Sequence, residues 1–344
     1  MVITHKTDLS KVQIKTELPY EIFRVIDIQK RLTKANKSYY DLKLGNKLSF
    51  TWVKDWDILS PYLKKGVYIE AKLEGVDHPQ YGTRWNLVHY VISNYVGDSN
   101  YENLIRTVKN PELLLKEMLE FTYTNYTIQQ LRDNLNSDIS WKEKFCTLPA
   151  SKQNHHSMRS GLVLHTYEVW NSCKTLLENK NLDSIYGNIN KDITLFGALI
   201  HDISKVNEYE WVDFPECTKV KPTLINGLLN NTVAGVEEIE KRAIQIHNFG
   251  ITLDPNIIIA LKHIIVSHHT KYSWRSPVPP MTPEAMLVAS MDSISCVLEN
   301  YKNAISENKS DDDLFTSTYY FYNPNGEGGT RLLKPQTYDP NYGK

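Results

Sequence analysis

The 344-residue sequence has no hydrophobic run long enough to span a membrane. Its longest apolar stretch, "NIIIALKHIIV", is far shorter than the ~20 residues a span requires, and Lys262 and His263 interrupt it. The opening "MVITHKTDLSK" lacks the apolar core of a secretory signal. Cysteine is scarce: Cys146, Cys173, Cys217 and Cys296 lie far apart and form no Cys-x-x-Cys pair. That argues against a disulfide scaffold or a thiolate zinc site and suits a reducing, cytoplasmic compartment. A dominant charge is missing too, because the formal net charge is only −1. The distribution is nonetheless uneven. Residues 1–97 carry 15 Lys/Arg against 10 Asp/Glu, which reads either as a solvated basic face or as a polyanion-binding surface.

What is present suits a globular chain of about two domains with room for a sizeable core. From Glu21 to Tyr95 the pattern is β. "FRVIDIQ", "SYYDLKL", "KLSFTWV", "GVYIEAKL" and "RWNLVHYVI" are short and rich in β-branched and aromatic residues. Leu42 and Leu44, then Leu48, Phe50 and Trp52, alternate with period two. The Gly-Asn pair in "LGNKL" reads as a hairpin turn, and "DWDILSPYLKKG" as a short helix or loop before the fourth strand. Five strands in this order predict an OB-fold barrel.

Beyond Tyr101 the period becomes helical. Residues 99–145 read as a helical linker, 146–305 as an all-α bundle, and 306–344 as an irregular tail. "GLVLHTYEVWNSCKTLLEN" sets Leu162, Val169, Cys173 and Leu176 on one face. Asp254-Pro255 and Thr282-Pro283 each place a capping side chain before a proline at the first helical position. The fold class is therefore multidomain: an all-β barrel over 1–98, then helices.

Candidate chemistry sits on the apolar stripes. His165 lies three residues after Leu162 and four before Val169. His201-Asp202 closes the apolar run "ITLFGALI", and Asp292 lies midway between Val288 and Cys296. A lone core histidine usually means little, but two buried carboxylates need compensation. A divalent cation shared by His165, His201, Asp202 and Asp292 would supply it. Imidazole with carboxylate suits Mn, Fe, Co, Ni or Zn. His268 and His269 are adjacent and diverge by about 100° on a helix, so both reach one site only if the helix ends there. The structural reading of that pair is cations at a helix C-terminus.

The order His…His-Asp…His-His…Asp resembles the HD-domain metal-dependent phosphohydrolases. "LPASKQNHHSMRSGLVLHTYEV", "GALIHDISKVNEY" and "SHHTKYSWRSPVPPMTPEAMLVASMDSI", behind the barrel, are similar to the YhaM-type 3′–5′ exoribonucleases, which join an OB-fold to an HD domain. The resemblance covers residues 20–302. It implies one divalent metal, manganese first and Fe, Co, Ni, Zn or Mg as alternatives, on His165, His201, Asp202 and Asp292. A second ion would take Asp202, His268, His269 and a further histidine, whose place in "INGLLNNTVAGVEEI" is held by Asn231. Ser204 is a second departure, standing where the family has glycine. Together they put two-metal catalysis in doubt.

Around the centre, Lys205, Arg159, His155 and His156 are candidates to bind or clamp a phosphate. Trp274 and Arg275 are candidates to stack on a base. In the barrel, Lys30, Arg31, Lys34 and Lys37 cluster in the first loop. Tyr39, Tyr40, Phe50, Trp52, Trp56 and Trp85 outnumber what a small core needs; about half are expected inside, and Tyr39, Trp52 and Trp85 are the stacking candidates. The expected function is metal-dependent 3′–5′ exoribonuclease action on single-stranded RNA, or DNA, through a metal-activated water. Hydrolysis of small or cyclic nucleotides is one alternative. A catalytically impaired nucleic-acid-binding protein is the other. No membrane partner is expected, and self-association into a homo-oligomer is left open.

Overall fold

The structure, a computed structural model, describes residues 20–33, 36–45, 50–56, 62–78, 82–92, 107–152, 155–179, 187–212, 220–306 and 332. The chain forms two units, 1–107 with 302–344, and 108–301.

In the first unit, period-two runs build β1 (Glu21–Leu32), β2 (Ser38–Gly45), β3 (Phe50–Asp55), β4 (Tyr68–His78) and β5 (Gly82–Ile92). They close into a barrel in the order β1-β2-β3-β5-β4. Neighbours are antiparallel except β3 and β5. This is the OB-like barrel expected, and closure gives each of the five described strands two neighbours. Leu42 and Leu44 of β2 and Val53 of β3 point inward with Phe23, Val25, Ile69, Ala71 and Leu73. Residues 46–49, the expected hairpin turn, and 57–61 lie outside the described residues; Gly45 and Phe50 are nevertheless partners across β2 and β3.

One stacking candidate is corrected here. Trp85 is 5% exposed and belongs to the barrel core. It is the partner of Gly75 across β4 and β5, and a Cβ at Gly75 would meet its ring at 3.4 Å. The missing side chain makes room for the indole, so Trp85 fills the barrel and offers no face to a base.

The second unit holds α1 (Pro111–Leu119), α2 (Tyr126–Ser137), α3 (Ile139–Thr147), α4 (Gly161–Leu177), α5 (Lys191–Ile200), α6 (Leu224–Leu228), α7 (Asn230–Asn248), α8 (Pro255–Ser267) and most of α9 (Pro283–Ser306). Caps start them where the sequence placed them. Asp254 Oδ1 accepts from Asn256 N before Pro255, and Thr282 Oγ1 accepts from Ala285 N before α9. Residues 108–145, part of the 99–145 read from the sequence as a helical linker, share the main core. Leu115, Met118, Ile128, Leu131, Trp141 and Phe145 pack in one apolar cluster with Leu162, Val169, Leu199, Ile264 and Val288. A two-stranded ribbon, β6 (Tyr209–Trp211) with β7 (Val220–Pro222), interrupts the helices. Three residues per strand are too few for a periodicity to show. Of the tail, only Ser306 and Leu332 are described. Among the described residues no helix is long and apolar enough to cross a membrane.

Candidate metal centre

Four elements deliver the candidate ligands. His165 comes from α4. His201 and Asp202 come from the end of α5, where the chain turns into a 3₁₀ segment, Ile203–Asn207. Trp141 of α3 braces that turn, donating its indole N–H to the Ile203 carbonyl at 3.1 Å. Asp292 comes from α9. The two histidines close α8: the helix ends at Ser267, His268 caps it, and Thr270 turns left-handed at φ 65. The helix therefore stops where both imidazoles are needed. Asp202, His268 and His269 bring one ligand atom each within 4.8 Å of one another, as do His165, His201 and Asp292.

Burial is nearly complete. His165 and His201 are 0% exposed, Asp202 1% and Asp292 7%. His165 Nε2 lies 3.3 Å from His201 Nε2, 3.1 Å from Asp292 Oδ1 and 3.6 Å from Asp202 Oδ2. His201 Nε2 lies 3.4 Å from Asp202 Oδ2. Asp202 faces both ways. Its Oδ2 meets His165 and His201, while its Oδ1 lies 3.6 Å from His268 Nε2.

The donor set fits a divalent cation. His201 Nδ1 sits 2.7 Å from the Ala198 carbonyl and His268 Nδ1 2.7 Å from that of Ile265. A carbonyl only accepts, so both Nδ1 atoms carry the proton and both Nε2 atoms turn lone pairs to the centre. His165 Nδ1 is 3.0 Å from Ser295 Oγ, which donates to Glu168 Oε2 at 2.7 Å. The hydroxyl has spent its hydrogen, so here too Nδ1 is the donor and Nε2 the acceptor. Nitrogens and carboxylate oxygens then face one another at 3.1–3.6 Å. Those are the edges of a polyhedron around an ion with bonds of about 2.1 Å.

Burial pushes Asp292 and Asp202 up, but the surrounding imidazoles, and for Asp202 first the Lys205 ammonium, hold both far below the ordinary carboxylate range. Burial lowers His165 and His269, and His268 most strongly. His201 also feels burial, yet the Asp202 charge outweighs it and raises its pKa.

The other site candidates separate. Lys205 is buried, not solvated: its Nζ lies 2.8 Å from Asp202 Oδ2. Arg159 is half-buried in the turn before α4. His155 is half-buried, with its ring centroid 5.3 Å from that of His165. His156 is a correction. It is 1% exposed, held at φ 48, and its Nε2 is 3.1 Å from Glu168 Oε2. Its carbonyl lies where a Cβ on Gly161 would come within 2.0 Å, so glycine there lets the loop pack beneath α4. That histidine is enclosed and cannot clamp a phosphate. Lys271 Nζ covers one face of half-buried Trp274 at 4.4 Å from the ring centroid; Arg275 is exposed and left-handed at φ 72.

Ser204 and Asn231, the two departures, touch. Ser204 Oγ donates to the Asn231 carbonyl at 2.8 Å. Ser204 sits in the 3₁₀ turn and has no positive φ, so glycine's freedom is not needed there. The Asn231 amide in turn donates to Asp202 Oδ1 at 2.8 Å. Glu168 and Ser295 were missed from sequence. Each lies three residues beyond a candidate ligand on the same helix, a spacing that shares a face and could have flagged them.

On the barrel, Tyr39 and Trp56 rings lie 5.1 Å apart. Lys37 reaches over Trp56, and Lys54 over both rings, at 5.1–5.7 Å. Trp56 is 42% exposed. Trp52 and Lys54 share the outer face of β3, since Val53 between them points inward. Lys30 is exposed beside Tyr40, at 6.0 Å from its ring. Arg31 is tied to Asp41 at 2.7 Å. Lys34 lies outside the described residues.

Fold and centre together define a class. Residues 162–296 match the HD domain, and the match, with the ligand clusters, marks the chain as a metal-dependent hydrolase. The particular resemblance is to proteins named 3′-5′ exoribonuclease YhaM. That of Geobacillus sp. (strain WCH70) is 26% identical over 325 residues, 89% of this chain and 94% of that protein. That of Oceanobacillus iheyensis is 31% identical over 193 residues, 54% of this chain and 55% of its own length. That of Bacillus subtilis (strain 168) is 27% identical over 215 residues, 61% and 62% respectively.

Proposed function

We propose that the protein is a metal-dependent 3′–5′ exoribonuclease of single-stranded RNA, acting in the cytoplasm. One observation carries the reading: two buried carboxylates and four histidines converge, three of the imidazoles with their acceptor nitrogens facing inward, beside the lysine of the His-Asp motif. His165, His201, Asp202 and Asp292 would hold the ion, manganese by preference. Once bound, it supplies Lewis acidity and an acidified water. The chain's own groups do the rest. Asp202 and Asp292 remain ionised and hold the centre's charge. Lys205 and Arg159 offset charge developing on the phosphate, and His155 lies within reach of the same edge. Trp274 and Arg275 would meet a terminal nucleotide. Lys30, Lys37, Tyr39, Trp52, Trp56 and Lys54 give the barrel a face on which a strand can stack and neutralise its phosphates. RNA labelled at its 5′ end and incubated with Mn²⁺ should shorten to a ladder. No ladder from protein with intact metal content overturns the reading. Turnover of a nucleotide panel in its place would transfer the centre to small substrates.

A further inference from the structure

Asn231 is 4% exposed, and its amide nitrogen lies between two atoms of the Asp202/His268/His269 cluster. It is 2.8 Å from Asp202 Oδ1 and 3.4 Å from His268 Nε2. Which end of an amide points where is decided by its neighbours. Here both neighbours are acceptors. Asp202 Oδ1 accepts at 2.8 Å, and His268 has its proton on Nδ1, against the Ile265 carbonyl. Only the NH₂ end can face them. Two amide hydrogens thus occupy the space between the oxygen and the nitrogen that a cation there would need. The main chain at Asn231 is held as well, by Ser204 Oγ from the 3₁₀ turn. Among the described residues no amide stands between the ligand atoms of His165, His201 and Asp292; the donors beside that position, Lys205 Nζ at 2.8 Å from Asp202 Oδ2 and Cys296 Sγ at 3.5 Å from Asp292 Oδ1, each meet one ligand atom.

We infer that Asn231 divides the centre into a strong and a conditional position. An ion on His165, His201, Asp202 and Asp292 meets two imidazole nitrogens and two carboxylates, of which Asp202 Oδ2 also holds the Lys205 ammonium at 2.8 Å; no amide lies between two of these ligand atoms. An ion on Asp202, His268 and His269 must first break the Asn231–Asp202 bond and turn the amide to present Oδ1. The inference rests on the reading of these clusters as metal sites. It concerns the number and ranking of ions, not the substrate.

The test uses the full chain and Mn²⁺ alone, by equilibrium dialysis with metal analysis and by EPR, which reports spin coupling between paired ions. The wild type should keep one ion per chain after desalting. A second should bind more weakly by on the order of tenfold to a hundredfold, the equilibrium equivalent of breaking a buried hydrogen bond. Asn231→His and Asn231→Asp, which replace the amide with metal ligands, should each retain a second ion and show the coupled signal. Two ions of equal affinity in the wild type overturn the inference. So does a second site that stays weak in both variants while their circular dichroism is native. The dialysis of the wild type decides the ranking even if a variant misfolds. Absence of the RNA ladder with one tight ion would sink the nuclease reading and leave this inference standing. A ladder with two equal ions would do the reverse.

Discussion

The barrel face and the helical centre both gather charged and ring-bearing side chains, but they do so under opposite conditions. On the barrel, Lys37, Lys54, Tyr39 and Trp56 are half-buried or exposed, and their contacts are loose ring and cation contacts at 5–6 Å. In the centre every imidazole and carboxylate but the half-buried His269 is shut from water or nearly so, and most are tied by a bond of 2.7–3.1 Å. Exposed contacts of the first kind contribute little one at a time and act by summation. Buried ones depend on one another, because removing one leaves a charge or lone pair unpaired in low dielectric. The difference teaches where each kind of damage should appear: binding and its salt dependence on the barrel, ion retention and turnover in the centre.

Substitutions can break that contrast. The largest effect is expected from His201→Ala, which removes a ligand of the His165, His201 and Asp292 cluster. Activity should fall by more than the ~10–100-fold that outer-shell losses cost, while filter binding of RNA at fixed salt stays near wild type. Equal loss of binding would erase the distinction. Next comes Trp85→Ala. It empties the barrel core and should cost about 3–5 kcal/mol of stability in a denaturant titration of the barrel's transition. A change near zero would return Trp85 to the surface. Ser295→Ala removes the hydroxyl that orients His165, and Mn²⁺ affinity should drop roughly 10–100-fold with the fold intact. Trp56→Ala should weaken strand binding by about 1–3 kcal/mol and leave ion retention alone.

The smallest effect is expected at the start of α3. Asp138 caps α3 through the Trp141 N–H and pairs with Arg242 at 3.0 Å. Burial opposes its ionisation, but those two partners outweigh it and lower its pKa. A lowered folded pKa means the contribution is complete above the unfolded value near 4 and fades as pH falls through the folded one. Asp138→Asn should therefore flatten the acid limb of the stability curve. The pair is 37% exposed on the aspartate side, so the change should stay under about 1 kcal/mol.

Much of this was legible beforehand, for reasons that can be located. Leu42, Leu44 and Val53 announce a barrel wall because a strand's faces alternate. Pro255 and Pro283 announce helix starts because a first-turn residue needs no N–H. His165 and Asp292 stand out because a polar group on an apolar stripe requires a partner. The strand "RWNLVHYVI" hid its inward face, since Trp85 and Leu87 share one parity and Val88 occupies the other. The register shifts where Lys72 and Leu73 of β4 face His89 and Leu87, so Val88 is an extra residue of that strand and moves the pattern again. His156 was unreadable because its partner, Glu168, lies twelve residues on and a turn of chain away.

The sequence by itself determined which residue types could bind a cation, the two-part architecture and the helix that ends at His268, because spacing and capping are local properties of a chain. Only the tertiary structure decided that Ser204 and Asn231 are one feature, not two. They stand twenty-seven residues apart on different elements, joined by a single 2.8 Å hydrogen bond. It also decided that the Asn231 amide points its hydrogens at Asp202. That orientation follows from the protonation of neighbours delivered by other helices, which no run of residues around position 231 encodes.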